Sequence, residues 1–152
     1  GREARMKFAV GSDHAAVALK NRLRDQLRDW GHEVEDLGAL GTDSVDYPDF
    51  AHAVAAAVHD GRVERGVLVC GTGVGMAIAA NRHRGVRAAA CSDAFSARMA
   101  RLHNDANVLC LGARIVATEY ALELLRIFVD TPYEGARHER RVAKIELPEG
   151  RG

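Results

Sequence analysis

The chain has 152 residues, enough for one domain with a buried core. Its hydrophobic fraction of 47% and charged fraction of 28% are ordinary for a soluble globular protein. With 21 basic and 21 acidic residues the net charge is zero, which excludes a global field that recruits nucleic acid or an anionic membrane; no apolar run reaches transmembrane length.

The elements alternate along the chain. Gly1 to Arg5, ahead of Met6, reads as an N-terminal extension or an expression remnant, with no signal-peptide apolar stretch. Lys7 to Gly11 is a short strand, and Ser12-Asp13 is an N-cap pair opening a helix that runs to about Trp30. Val17, Leu19, Leu23, Leu27 and Trp30 recur along it at near-helical spacing, and Gly31 stops it. Val34 to Leu37 is a weaker strand, followed by a polar loop from Gly38 to Pro48. Asp49 to Asp60 is an alanine-rich helix closed by Gly61. Val67, Leu68 and Val69 then form the apolar, largely β-branched run of a parallel strand covered on both faces, and it ends on Cys70. Gly71, Gly73 and Gly75 permit a tight turn, after which Met76 to Asn81 restarts as a helix.

Val86 to Cys91 is the fourth strand, and Asp93 to about Leu102 is a helix. Asn107 to Leu111 makes the fifth strand, and Thr118 to Asp130 the last long helix. Strands alternating with helices of about 10–15 residues predict an α/β domain over residues 6–131. The expected architecture is a Rossmann-like five-stranded parallel sheet with helices on both faces, in three layers. Residues 132–152 differ in character, with Arg137, His138, Arg140 and Arg141 crowded into five positions. Either this is a solvated tail, or the turn is helical and Arg137 and Arg141 share a face that clamps one phosphate.

Cys70 is the chemically informative group. A free cysteine commonly serves as a small buried hydrophobe, the role expected of Cys91 and Cys110. Cys70 instead ends a strand beside glycine-loop N–H groups and a helix start, features that lower a thiol pKa from its free value of about 8.5. Ligands of open α/β sheets also bind outside the carboxyl ends of strands. Thr72 adds a hydroxyl at the same point. An odd number of cysteines argues against a disulfide framework and for the reducing cytoplasm.

Other readings compete. Gly71 and Gly73 begin a dinucleotide fingerprint, with Asp93 at roughly the ribose-binding distance, but Met76 stands where the third glycine belongs. No Gly-Lys-Ser/Thr follows, so a phosphate-binding Walker loop is excluded. His14 lies after the first strand and reads as a cap, a surface residue or a site residue. His103-Asn104 reads as a helix end. His32, His52, His59 and His83 are expected on the surface. Metal-ligand spacing is absent, so no metal is expected.

Taken together, the motifs resemble the ribose-5-phosphate isomerase B family, which also includes galactose-6-phosphate isomerase subunits. The resemblance runs from Met6 to Ile145. It is carried by Gly11-Ser-Asp-His-Ala, Asp46-Tyr-Pro48, Cys70-Gly-Thr-Gly-Val-Gly, Ile78-Ala-Ala-Asn81, Gly85-Val-Arg-Ala88, Arg101-Leu-His-Asn-Asp-Ala-Asn-Val108, Leu111-Gly-Ala-Arg114 and Glu134-Gly-Ala-Arg-His138. It implies a cofactor-independent aldose–ketose isomerase of sugar phosphates, active as a homodimer or homotetramer with sites at subunit interfaces. Ribose 5-phosphate is the default substrate, and four- or six-carbon aldose phosphates are the alternatives.

The resemblance also implies roles. Cys70 matches the base that forms an enediolate, Thr72 a proton relay between O1 and O2, and Asn104 with the N–H groups of Gly71, Gly73, Val74 and Gly75 the oxyanion donors. His103 matches the ring-opening group, with Asp13 and Tyr47 near the sugar hydroxyls. His14, Arg114, Arg137 and Arg141 match phosphate contacts, so residues 132–152 are expected to complete the site, in a neighbouring subunit. Two departures stand out. Gly75 occupies a place that is glutamate in one branch of the family, and Ala136 replaces a glycine common before the Arg-His pair, where alanine resists positive φ. A chain that has lost catalysis and serves only a partner is the remaining rival, and the presence of Cys70, Thr72, His103 and Asn104 argues against it.

Overall fold

A computed structural model describes residues 5–150. The N-terminal stretch discussed above therefore lies, Arg5 apart, outside the described residues. In chain order the elements are β1 (Lys7–Ser12), α1 (Val17–Asp29), β2 (Glu33–Asp36), α2 (Tyr47–His59), β3 (Arg65–Cys70), α3 (Val74–Ala80), β4 (Ala88–Ala90), α4 (Ala94–Leu102), β5 (Val108–Gly112), α5 (Thr118–Asp130) and α6 (Glu139–Ala143). Short 3-10 turns at His14–Ala16 and Ala136–His138 precede α1 and α6. The five strands form one sheet, ordered β2-β1-β3-β5-β4 and parallel at every pairing.

Strand periodicity divides the core in two. Val67 and Val69 of β3 face a layer built from α1, α4 and α5, where Leu23, Leu27, Ala97, Leu124 and Phe128 are buried. Leu68 and Cys70 face the opposite layer, built from α2 and α3, with Val54, Ala55, Met76 and Ala80. Each fully buried Leu or Phe contributes roughly 1.5–3 kcal/mol of apolar transfer energy, so both faces of the sheet must be covered. The result is the expected three-layer α/β architecture.

Several boundaries shift for local reasons. The first helix opens as a 3-10 turn because the Asp13 carboxylate accepts hydrogen bonds from Ala15 N and Ala16 N, both at 3.1 Å. The second long helix, α2, starts at Tyr47, ahead of the expected Asp49, since Pro48 falls in its first turn, where a missing N–H costs nothing. Gly73, at φ 83°, caps α3, so the helix starts at Val74 rather than Met76. Strand β4 is only three residues because Arg87 N already donates to Asn107 Oδ1 at 2.7 Å. His32 overturns its surface expectation: it is buried, its Nδ1 accepts from Met6 N at 3.1 Å, and its ring meets the Phe8 ring edge-on at 5.3 Å. His83 is half-buried, against the same expectation, while His52 and His59 are exposed.

Candidate active site

At the carboxyl edge of the sheet, β3 delivers Cys70 into the glycine loop. The thiol is 6% exposed, and its Sγ accepts a hydrogen bond from Gly73 N at 3.2 Å. The loop is stapled to the one after β5: Ala113 N donates to Cys70 O at 2.8 Å and Arg114 N to Gly71 O at 3.0 Å. Thr72 Oγ1 accepts from Val74 N at 3.2 Å, which leaves its hydroxyl proton free to donate. The N–H groups of Gly73 and Val74 are thus engaged inside the loop.

Neighbouring loops converge on the same edge. Arg114 lies across Gly71, with its Cδ 3.7 Å from where a Cβ on that glycine would stand. Among the described residues its guanidinium has no hydrogen-bonding partner. Asp13 follows β1, its N–H bonded to Val69 O at 3.2 Å. His14 accepts Val45 N–H at Nδ1, 3.1 Å away, so the neutral ring carries its proton on Nε2 and offers a donor there. Tyr47 opens α2 with its ring against Gly75, and it is 41% exposed.

Four expected site residues stand elsewhere. In a parallel α/β sheet each helix runs back to the amino edge, and His103 is the C-cap of α4. Asn107, just beyond it, accepts from Gly66 N near the start of β3. Six residues of β3 span about 20 Å, which places His103 and Asn104 at the opposite sheet edge from Cys70. Asn104 is exposed beside a cavity of about 290 Å³ that Arg87 and Glu146 also line.

The segment after α5 is anchored at this amino edge, because Glu134 N donates to Leu102 O at 3.0 Å. Arg137 lies in the 3-10 turn and Arg141 in α6, so the run is helical, as the clamp reading requires. Ala136 takes the strained positive φ, 47°, that its position demands. Arg137 and Arg141 are exposed and, among the described residues, have no side-chain partner. His138, counted in the basic cluster but given no role from sequence, is buried at this edge and hydrogen-bonded to Glu134 at 2.8 Å.

Cys91 and Cys110 are buried and free, as expected. Burial, followed by the Asp93 charge, pushes the Cys91 thiol up to about 11, and burial pushes the Cys110 thiol higher still. Asp93, the ribose contact of the nucleotide reading, instead caps α4 by accepting from Ser96 N at 2.9 Å. No helix among the described residues is long and apolar enough to cross a membrane.

Comparison with known proteins gives one answer. Residues 8–145 match the model of the Ribose/Galactose Isomerase family. Ribose-5-phosphate isomerase B of Escherichia coli is 44% identical over 95% of this chain and 97% of its own length. D-erythrulose-4-phosphate isomerase of Pectobacterium atrosepticum is 43% identical, covering 92% of this chain and 93% of that one. The structure of ribose-5-phosphate isomerase B from Clostridium thermocellum superposes with a TM-score of 0.91 at 48% identity, covering 92% of this chain and 95% of that one. A match over nearly the whole length, in both sequence and fold, makes this chain a member of the ribose/galactose isomerase family, an aldose–ketose isomerase acting on sugar phosphates.

Proposed function

We propose that the chain converts ribose 5-phosphate to ribulose 5-phosphate without a cofactor, in a site shared by two subunits. The observation that carries this reading is the split between sheet edges. Cys70, Thr72, Asp13, His14, Tyr47 and Arg114 gather at one edge, and His103, Asn104, Arg137 and Arg141 at the other. A homodimer that lays the amino edge of one subunit over the carboxyl edge of its partner assembles both halves twice. A tetramer would pair such dimers.

The chemistry follows from the groups. Furanose opening needs a proton delivered to the ring oxygen and one removed from O1. An imidazole from the partner subunit's His103 suits that exchange near neutral pH, with Asp13 near the hydroxyls. Cys70, as thiolate, then removes the C2 proton of the open aldose, and the electron pair moves into a C1–C2 enediolate. Thr72 passes a proton from O2 to O1, and the proton held by sulfur returns to C1, giving the ketose. Loop N–H groups and Asn104 hold the oxyanion, each donor contributing roughly 2.7–4 kcal/mol in the transition state. His14, Arg114, Arg137 and Arg141 hold the phosphate.

Three buried free thiols also favour a reducing compartment, the cytoplasm. The test is a turnover panel of aldose and ketose phosphates from four to six carbons, in buffer without metal or cofactor. Fastest turnover on ribose 5-phosphate is expected. The similarity to the erythrulose-4-phosphate isomerase supports a second reading, a four-carbon substrate, and preference for one would replace the pentose.

A further inference from the structure

At the amino edge of the sheet three side chains meet that the isomerase chemistry does not explain as a group. His103 ends α4, and Glu134 and His138 lie four residues apart in the segment that follows α5. His138 Nε2 is 2.8 Å from Glu134 Oε1, and the His103 and His138 rings stack with centroids 4.2 Å apart and planes 20° from parallel. One ligand atom from each of the three lies within 4.8 Å of the others. A Glu–His hydrogen bond alone accounts for the position of His138. It does not account for a second imidazole laid against the first, within reach of the same carboxylate.

We propose that His103, Glu134 and His138 bind a divalent d-block cation, with zinc the best match, and that the bound ion withdraws His103 from ring opening. Two imidazoles and one carboxylate are a donor set that zinc takes with a fourth position left to water. Calcium and magnesium prefer all-oxygen ligands and fit poorly. Ligand atoms of a tetrahedral zinc site stand about 3.4 Å apart, so atoms as far as 4.8 Å apart must close by up to about 1.4 Å. Because the in-plane lone pairs of stacked rings run parallel, the His103 ring must also turn out of the stack. Glu134, 48% exposed, and His103, half-buried at the end of α4, make those movements, while His138 is 8% exposed and held in place. The ion takes the Nε2 lone pair of His138, whose ring proton shifts to Nδ1, together with lone pairs from Glu134 and His103. Binding does not depend on the isomerase assignment. Inhibition does, because it rests on the proposed role of His103.

The test uses the full chain without a polyhistidine tag, with Co²⁺ as a visible probe and Zn²⁺ as competitor. One equivalent of Co²⁺ per chain is expected to give saturable d–d bands that Zn²⁺ removes. Glu134→Gln and His138→Gln are each expected to weaken binding tenfold or more. Cys70→Ala is expected to bind like the parent, with no thiolate-to-cobalt charge transfer in either. If the buried His138 does not tolerate substitution, Glu134→Gln, at an exposed position, decides alone. No saturable band, binding unchanged in Glu134→Gln, or loss of the ion in Cys70→Ala would overturn the site. Isomerisation of a furanose substrate is expected to slow as Zn²⁺ fills the site and to recover with chelator. Binding without inhibition would sustain the metal site and count instead against His103 as the ring-opening group.

Discussion

The Tyr47 ring fills the space that a side chain on Gly75 would need: a Cβ built there stands 2.6 Å from Tyr47 Cε1 and 2.9 Å from its hydroxyl oxygen. Because Tyr47 opens α2 and Gly75 lies in the first turn of α3, this contact sets the distance between the two elements beside Cys70. Gly75→Ala must therefore displace the ring. A loss of tenfold or more in kcat/KM is expected, about 1.4 kcal/mol of transition-state binding. In the Tyr47→Ala background the same substitution should cost far less, since contacting residues are not additive. Fully additive losses would show that the ring and the glycine do not act together.

Cys70 should be the one thiol that reacts. Cys91, pushed up to about 11 by burial and the Asp93 charge, and Cys110, pushed up further by burial, are buried and largely protonated near pH 8. Iodoacetamide at that pH should mark Cys70 first, more slowly when a sugar phosphate is bound. Peptide mapping reads the site. Cys70→Ala should keep its circular dichroism and lose at least a hundredfold in turnover, the lower end for a positioned proton-transfer group at roughly 10²–10⁴. Turnover within a few-fold of the parent would remove Cys70 from the mechanism.

Much of this was legible in the residues. Strand and helix order followed from periodicity, and the placement of Cys70 at a strand end from its position between an apolar run and three glycines. Boundaries were less legible because they turn on side chains that replace backbone partners, such as Asn107 shortening β4 and Asp13 tightening the first turn. Burial of His32 and of Lys20, which pairs with Asp36 at 2.7 Å, was invisible, since polar residues go inside only when tertiary partners exist. The division of the proposed site residues between two edges could not be read from motif spacing. It follows from helices running antiparallel to strands, which carries His103 away from Cys70 although both lie in motifs of the same family.

His83 should make the fold sensitive to acid. Its Nε2 lies 2.8 Å from His52 Nδ1, so one nitrogen donates and the other accepts. Burial first, then the neighbouring His52 and His59, hold the His83 pKa below the usual value of 6.5. The unfolded chain therefore binds a proton at this position more readily than the folded one. Stability is fully present above pH 6.5 and falls as pH drops through that value. Comparing melting temperatures of the parent and His83→Gln from pH 8 to pH 5 isolates this group. The variant should lose less on acidification, and parallel curves would deny His83 any part in the acid limb.

Arg137 and Arg141 should act on binding more than on chemistry. Both are exposed and, among the described residues, without side-chain partners, in a helical run that puts them on one face. Bidentate contacts with a phosphate form in the ground state as well as in the transition state, so their loss mainly raises KM. Arg137→Ala and Arg141→Ala should each raise KM at least tenfold and weaken inhibition by inorganic phosphate in parallel. A fall in kcat with KM and phosphate inhibition unchanged would place them outside the phosphate site.

The shared site itself is open to a direct test. Cys70 ends β3 and His103 ends α4, at opposite edges of one sheet, so a single chain cannot bring them to the same sugar. Cys70→Ala and His103→Ala homodimers should each be close to inactive on ribose 5-phosphate, because every site in them carries a lesion. In a heterodimer with two-fold symmetry, one site collects both lesions and the other collects neither. Equal mixing with free subunit exchange makes half of the dimers heterodimers, so recovery should approach about a quarter of parent activity. Exchange must be confirmed independently, by native mass spectrometry of differently tagged subunits. Confirmed exchange with no recovery would mean that Cys70 and His103 reach one site from the same chain, or that one of them has no place in it. Pairing Cys70→Ala with Arg137→Ala, assayed with substrate well below KM so that the Arg137→Ala homodimer contributes little, separates those outcomes. Recovery there would keep the site shared and leave His103 out of the partner's half, whereas silence in both mixtures would end the shared-site reading.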